Sequence, residues 1–253
     1  MTKRALAALT AVVLLVFGVA QHATAGGQKP SGALTVFAAA SLTESFTELG
    51  KQFEAANPGT KVTFSFGASS ALAEQIKSGA PADVFASASP KNMDQVVSAG
   101  GASDSKVFAT NKMEIAIPPS NPGNVVSVND LAKSSLKTAL CQPQVPCGSV
   151  AQQVFSNANI TVKPVTLEPD VKSVLAKVQL GEVDAGMVYV TDVKAAGAKV
   201  KGVQIADDVN ASTDYPIAAL TESGNAAVAS AFVDLVLSPA GESVLSTAGF
   251  QAP

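Results

Sequence analysis

Apolar and polar positions along this chain switch repeatedly between a period of two and a period near 3.6. Leu34–Ala39 is a short apolar run, the pattern of a buried strand. From Leu42 to Ala56 the residues Leu42, Phe46, Leu49 and Phe53 recur at helical spacing, and Asn57-Pro58-Gly59 stops that helix. Lys61–Phe66 alternates as a strand does, and Gly67-Ala68-Ser69-Ser70 then turns into a helix over Ala71–Lys77. The order continues with strands at Ala82–Ala86, Met113–Ile117, Lys137–Leu140, Val165–Leu167, Ala185–Val190, Val203–Ile205 and Tyr215–Leu220. Between and after them the spacing predicts helices over Pro90–Ala99, Val128–Lys133, Cys147–Asn157, Val171–Leu180, Ala226–Leu237 and Ala240–Ser246. Strands alternating with helices at this spacing imply right-handed βαβ units and a parallel sheet. No repeat, low-complexity stretch or linker divides the chain. That fits two α/β lobes with more than one crossing between them.

The N-terminus changes the composition that matters. Lys3 and Arg4 precede an apolar run from Ala5 to Ala20, and Ala23-Thr24-Ala25 follows: a signal peptide over 1–25. The run is shorter than the ~18–20 apolar residues of a membrane span. No cysteine lies near the cut to accept a lipid. The expected location is therefore the periplasm or the exterior of the cell envelope, with residues 26–32 a flexible leader. Cleavage removes the single His (His22), the single Arg (Arg4) and Lys3; 15 Lys then face 20 acidic residues, a net charge of −5 over 228 residues. Without His or Arg there is no Ser-His-Asp or Cys-His site, no His-ligated metal and no guanidinium fork for an anion. An acidic chain without Arg is also a poor nucleic-acid binder. Cys141 and Cys147 remain, either bridged, as an oxidising compartment permits, or as two free thiols; sequence does not give the Cα separation that decides.

Candidate chemistry gathers at helix starts. Ser41 stands between the first strand and the first helix, and Glu44 three residues on completes a capping-box pattern. The first N–H groups of a helix lack partners within it, and the helix dipole adds positive potential there, so such a junction accepts anions. Three more junctions repeat the theme. One is Ser69-Ser70. Another is Pro146-Cys147-Gly148-Ser149, where Pro suits a first turn and Gly148 admits close approach to the backbone. The third is Glu168-Pro169-Asp170-Val171. Each alone is ordinary in an α/β fold. Together they suggest a cleft with almost no formal charge, at the carboxyl ends of strands, suited to a dehydrated oxyanion. Taken singly, Tyr189 reads as a core aromatic, Ser70 as a helix-start residue, Asp83 as a structural carboxylate and the lysines as solvated faces.

Seven segments carry a family likeness. They are Val36-Phe37-Ala38-Ala39-Ala40-Ser41-Leu42, Phe66-Gly67-Ala68-Ser69-Ser70-Ala71-Leu72-Ala73, Gly79-Ala80-Pro81-Ala82-Asp83-Val84-Phe85-Ala86-Ser87-Ala88, Val145-Pro146-Cys147-Gly148, Asp170-Val171-Lys172, Gly186-Met187-Val188-Tyr189 and Asp214-Tyr215-Pro216-Ile217. In order along the whole chain after residue 25, they resemble the ModA family of periplasmic molybdate-binding proteins of ABC importers. The resemblance implies an α/β, two-lobed class II periplasmic-binding-protein fold. Each lobe would be a mixed, mostly parallel sheet flanked by helices, with the ligand in the interlobe cleft. Lobe one would be 33–112 plus 215–253 and lobe two 113–214, with crossovers near Asn111–Glu114 and Ser212–Tyr215. It further implies capture of molybdate, and of tungstate, by hinge closure, with delivery to a membrane permease and no covalent chemistry. The matching ligand positions are the hydroxyls and amides of Ser41 and Ser69, the amides of Cys147 and Val171, and the hydroxyl of Tyr189. Cys147 departs from the alanine common at its position. No cofactor is implied; molybdenum enters only as the bound oxyanion, and the protein would be a monomer that binds no nucleic acid. The alternatives are a binder of another tetrahedral oxyanion such as sulfate, and an exported hydrolase with a Ser-Lys pair, although the motifs place no lysine beside Ser41 or Ser69.

Overall fold

A computed structural model describes residues 30–253. The expected signal peptide and leader residues 26–29 lie outside the described residues. The first half of the chain runs β1 (Gly32–Ala39), α1 (Thr43–Ala56), β2 (Thr60–Gly67), α2 (Ser69–Lys77), β3 (Val84–Ala86) and α3 (Pro90–Ser98). A long strand, β4 (Lys106–Ile117), follows, and then β5 (Thr138–Cys141), α4 (Pro146–Asn157), β6 (Thr166–Glu168), α5 (Val171–Gln179), β7 (Ala185–Tyr189), α6 (Val190–Ala196) and β8 (Lys201–Gln204). The chain returns through β9 (Ser212–Ala219) to α7 (Ala226–Val236) and α8 (Pro239–Ala248). Gly32, expected as the last leader residue, already belongs to β1.

Strands lie in the order β2-β1-β3-β9-β4-β7-β5-β6, with β8 also on β4. The parallel pairings are β1 with β2 and β3, and β5 with β6 and β7. Every antiparallel pairing involves β4 or β9, the two strands on which the chain crosses between halves. β4 pairs with β9 as far as Lys112↔Ser212 and with β7 from Met113↔Tyr189. Hydrophobic spacing reveals only the second part of β4. Its first part breaks alternation, with exposed Lys106-Val107, buried Phe108-Ala109 and a register shift between Val107 and Ala109. The element expected as a helix at Val128–Lys133 is a 3₁₀ turn over Val128–Ala132, capped by Ser127 and Asp130. α6 goes unseen in the sequence because it follows the apolar run of β7 without a break residue.

Three groups of buried side chains form the core of the described residues; the smallest joins Phe37, Leu72, Phe85, Met93 and Val96 under α2 and α3. Around β1, the face of α1 set by Phe46, Leu49 and Phe53 meets Phe232 of α7, with ring centroids 6.0 Å apart for Phe46–Phe232 and 5.4 Å for Phe53–Phe232. Around β7, the face of α5 made by Val171, Val174, Leu175 and Val178 packs with Met113, Ile115 and Met187. Edge-on aromatic contacts of this kind add to the burial of the rings. Phe232→Ala is expected to lower the unfolding free energy by ~3–5 kcal/mol in a urea titration; a loss below about 1 kcal/mol would show that α7 does not bury this face.

Candidate functional site

β1 ends at Ala39, and a 3₁₀ turn over Ala40–Leu42 separates it from α1. Ser41 therefore lies ahead of the helix rather than at its N-cap. Leu42 holds the N-cap position without a side-chain bond, and the Ser41–Glu44 capping box does not form. The side chains have other partners. Thr43 Oγ1 donates to Ala40 O at 2.7 Å and closes the turn, and Ser41 Oγ lies 2.8 Å from the Tyr215 hydroxyl. Glu44 accepts from Lys172 Nζ at 2.9 and 2.8 Å, so a pairing across the two halves replaces the local cap.

Ser69 is the first residue of α2, two residues before the expected start, and Ala68 is its N-cap. Ser69 Oγ accepts the Ala88 N–H at 2.9 Å, which leaves the Ser69 proton free to be donated. α4 opens on Pro146, and Cys147 is disulfide-bonded to Cys141 with Cα atoms 5.8 Å apart, so the free-thiol alternative falls away. At Gly148 a Cβ would clash with the Gln142 carbonyl oxygen, so its missing side chain admits the chain's own backbone. Asp170 caps α5 by accepting from Ser173 N at 2.9 Å, and Val171 is the first helical residue. Tyr189 ends β7, 1% exposed, and its buried hydroxyl has no hydrogen-bond partner among the described residues.

Ser41, Ser69, Cys147, Val171 and Tyr189 line one small cavity, completed by Ala40, Gly67, Ala68, Ala88, Pro146 and Asp170. Ser70 is not among them; it faces a larger groove outside, beside Glu74, Lys91 and Gln142. Among the described residues no lysine lines the cavity, and the one formal charge they place there, Asp170, is turned to the amide and hydroxyl of Ser173. What the walls offer is three hydroxyls and the unpaired first amides of three helices. Burial pushes the Tyr189 phenol well above its ordinary pKa, with Tyr215 and Asp192 adding to the rise. Burial likewise raises Tyr215, against its hydrogen bonds with Ser41 and Asn111. Both side chains therefore stay protonated and keep a proton to give.

Sequence spacing misses the groups behind the walls. Lys172 is no solvated lysine: its side chain is 24% exposed, between Glu44 and the fully buried Asp192, which it meets at 3.0 Å. Burial works against its charge, but Asp192 and Glu44 outweigh it and raise its pKa. Asp192 also accepts the Tyr189 N–H at 3.1 Å, and its own pKa is raised by burial despite Lys172. Asp83, by contrast, is structural as its sequence reads, accepting from Thr35 N and Ser223 Oγ.

Residues 34–251 match the family model of the bacterial extracellular solute-binding proteins. The chain belongs to that family. It is 42% identical over 230 residues to the molybdate-binding protein ModA of Mycobacterium tuberculosis (strain H37Rv), covering 90% of this chain and 88% of that one. Among solved structures, the periplasmic molybdate-binding protein of Azotobacter vinelandii superposes with a TM-score of 0.76 at 22% identity, over 87% of this chain and 99% of that one. The sulfate-binding protein SubI of M. tuberculosis gives 0.75 at 16% identity, over 87% and 86%. These two superpositions show that the solute-binding family fold is shared between proteins named for different anions.

The chain has two tyrosines and no tryptophan, so tyrosinate absorbance reads Tyr189 and Tyr215 alone. The folded protein is expected to show none near pH 10, where a free phenol is half ionised (about 10). Because the folded state holds protons that the unfolded state releases, stability falls as pH rises through that value, and the absorbance should appear together with unfolding. Half-ionisation near pH 10 in the folded protein would contradict the burial of these hydroxyls.

Proposed function

We propose that this chain is the extracytoplasmic receptor of a molybdate ABC importer, taking molybdate, and tungstate as well, for delivery to a membrane permease. The observation that carries the reading is the Tyr189 hydroxyl, buried, protonated and, among the described residues, without a hydrogen-bond partner, in a cavity that these residues line with two serine hydroxyls and no cation. Such a cavity suits a fully deprotonated tetrahedral oxyanion, to which each charge-assisted hydrogen bond contributes about 1.5–3 kcal/mol. The name borne by the 42% identical mycobacterial relative supports molybdate among the oxyanions.

In this reading Ser41 and Ser69 supply hydroxyl and amide from lobe one, while Cys147 and Val171 supply amides and Tyr189 its hydroxyl from lobe two. The lobes are 33–112 plus 215–253 and 113–214. The change of partner along β4 between Lys112 and Met113 supports a hinge there. Because the ligand touches both lobes, its binding energy favours the closed arrangement. The Cys141–Cys147 bridge tethers the turn that presents the Cys147 amide. The protein works after export, as a monomer, without cofactor or covalent chemistry. A hydrolase lacks its base here: Ser41 faces a phenol and Ser69 a backbone N–H. A monoprotonated phosphate needs an acceptor, and the Asp170 oxygens are already engaged.

Calorimetric titration of the purified exported form with molybdate, tungstate, sulfate and phosphate tests the reading. Molybdate and tungstate are expected to bind at micromolar concentration or below, and sulfate more weakly. No molybdate binding, or sulfate binding as tightly, overturns it. Ser41→Ala and Ser69→Ala should each weaken molybdate by ~1–3 kcal/mol; unchanged affinity in both variants moves the site elsewhere.

A further inference from the structure

Each cavity serine leans on a group behind it, and the two groups differ in kind. Behind Ser69 is the Ala88 N–H, which can only donate, so the Ser69 proton is always available to the cavity. Behind Ser41 is the Tyr215 hydroxyl at 2.8 Å, which is able to donate or accept. If Tyr215 accepted, the Ser41 proton would point away from the cavity and a lone pair would face the anion.

Asn111 decides between the two. The β4–β9 register puts Asn111 opposite Thr213, so Tyr215 is its diagonal neighbour on the same face of the sheet. Asn111 Oδ1 accepts the Lys112 N–H at 3.1 Å, which orients the amide. Asn111 Nδ2 then donates to Thr191 Oγ1 at 2.9 Å and, at a longer 3.4 Å, to the Tyr215 hydroxyl. Asn111 Nδ2 can only donate, so among the described residues Ser41 Oγ is the acceptor within hydrogen-bond distance for the Tyr215 proton; Tyr215 gives it there, and the Ser41 proton is left for the cavity. Asn111 and Tyr215 are 1% and 0% exposed, so water does not compete for these bonds.

We infer that Asn111 and Tyr215 are positioning residues that make the Ser41 hydroxyl a one-way donor, so that the cavity presents protons and no lone pair to the oxyanion. The inference rests on Ser41 being an anion donor, as proposed above. Neither residue touches the ligand; both act through Ser41.

A double-mutant cycle read by calorimetry with molybdate tests it. Tyr215→Phe keeps the ring that packs edge-on against Tyr189 at 6.3 Å and deletes only the hydroxyl, so folding is preserved and is checked by thermal melting. It is expected to weaken binding about three- to tenfold. In a Ser41→Ala background the same change should alter affinity less than about twofold, because the residue it acts through is gone. A Tyr215→Phe effect that persists in full beside Ser41→Ala, or no effect of Tyr215→Phe in the presence of Ser41, overturns the relay and leaves the functional reading standing. A wild-type protein that binds no molybdate, or a Ser41→Ala variant that binds as tightly as wild type, removes the role of Ser41 in the functional reading and the relay with it.

Discussion

The change of partner along β4 is the constraint on which the site depends. Up to Lys112 the strand is held by β9, and from Met113 by β7. The hydroxyls of Ser41 and Ser69 and the hydroxyl of Tyr189 belong to opposite sides of that change, yet line one cavity. Antiparallel pairing through β4 and β9 makes this possible in an otherwise βαβ-built chain. One continuous strand thus carries the pairing of both halves, which joins them through its own backbone.

Around that joint the electrostatics follow one rule, that formal charges stay outside and dipoles point inward. Lys172, the cation next in sequence to Val171, is taken up by Glu44 and Asp192. Asp170, the one carboxylate at the wall, is satisfied by Ser173. The absence of Arg and His after residue 25 is thus matched by an arrangement that has no use for them. In the proposed reading, hydroxyls and amides held in place would need no reorganisation when an anion arrives.

The sequence discloses this structure unevenly, for physical reasons. The faces of α1 and α5 are legible because burial on one side of a helix imposes spacing on Phe46, Leu49 and Phe53 and on Val171, Val174 and Val178. Ser41, Ser69, Cys147 and Val171 stand at helix starts that the sequence marks as anion-accepting junctions, whereas only resemblance singles out Tyr189, which periodicity leaves in the core. The first part of β4 is hidden by its register shift. The Ser41–Glu44 pattern misleads because a serine three residues before a glutamate fits a 3₁₀ turn as well as a cap. Lys172 and Glu44, 128 residues apart, and Asn111 and Tyr215, 104 apart, are brought together only by the fold.

The placement of the tyrosines has an optical consequence. Tyr189 lines the cavity, and Tyr215 bonds the serine beside it. With no tryptophan anywhere in the chain, all tyrosine emission originates within this one neighbourhood. The polypeptide thus carries both of its tyrosine fluorophores at its cavity, and emission excited in the tyrosine band, beyond the absorption of phenylalanine, reports on that single place.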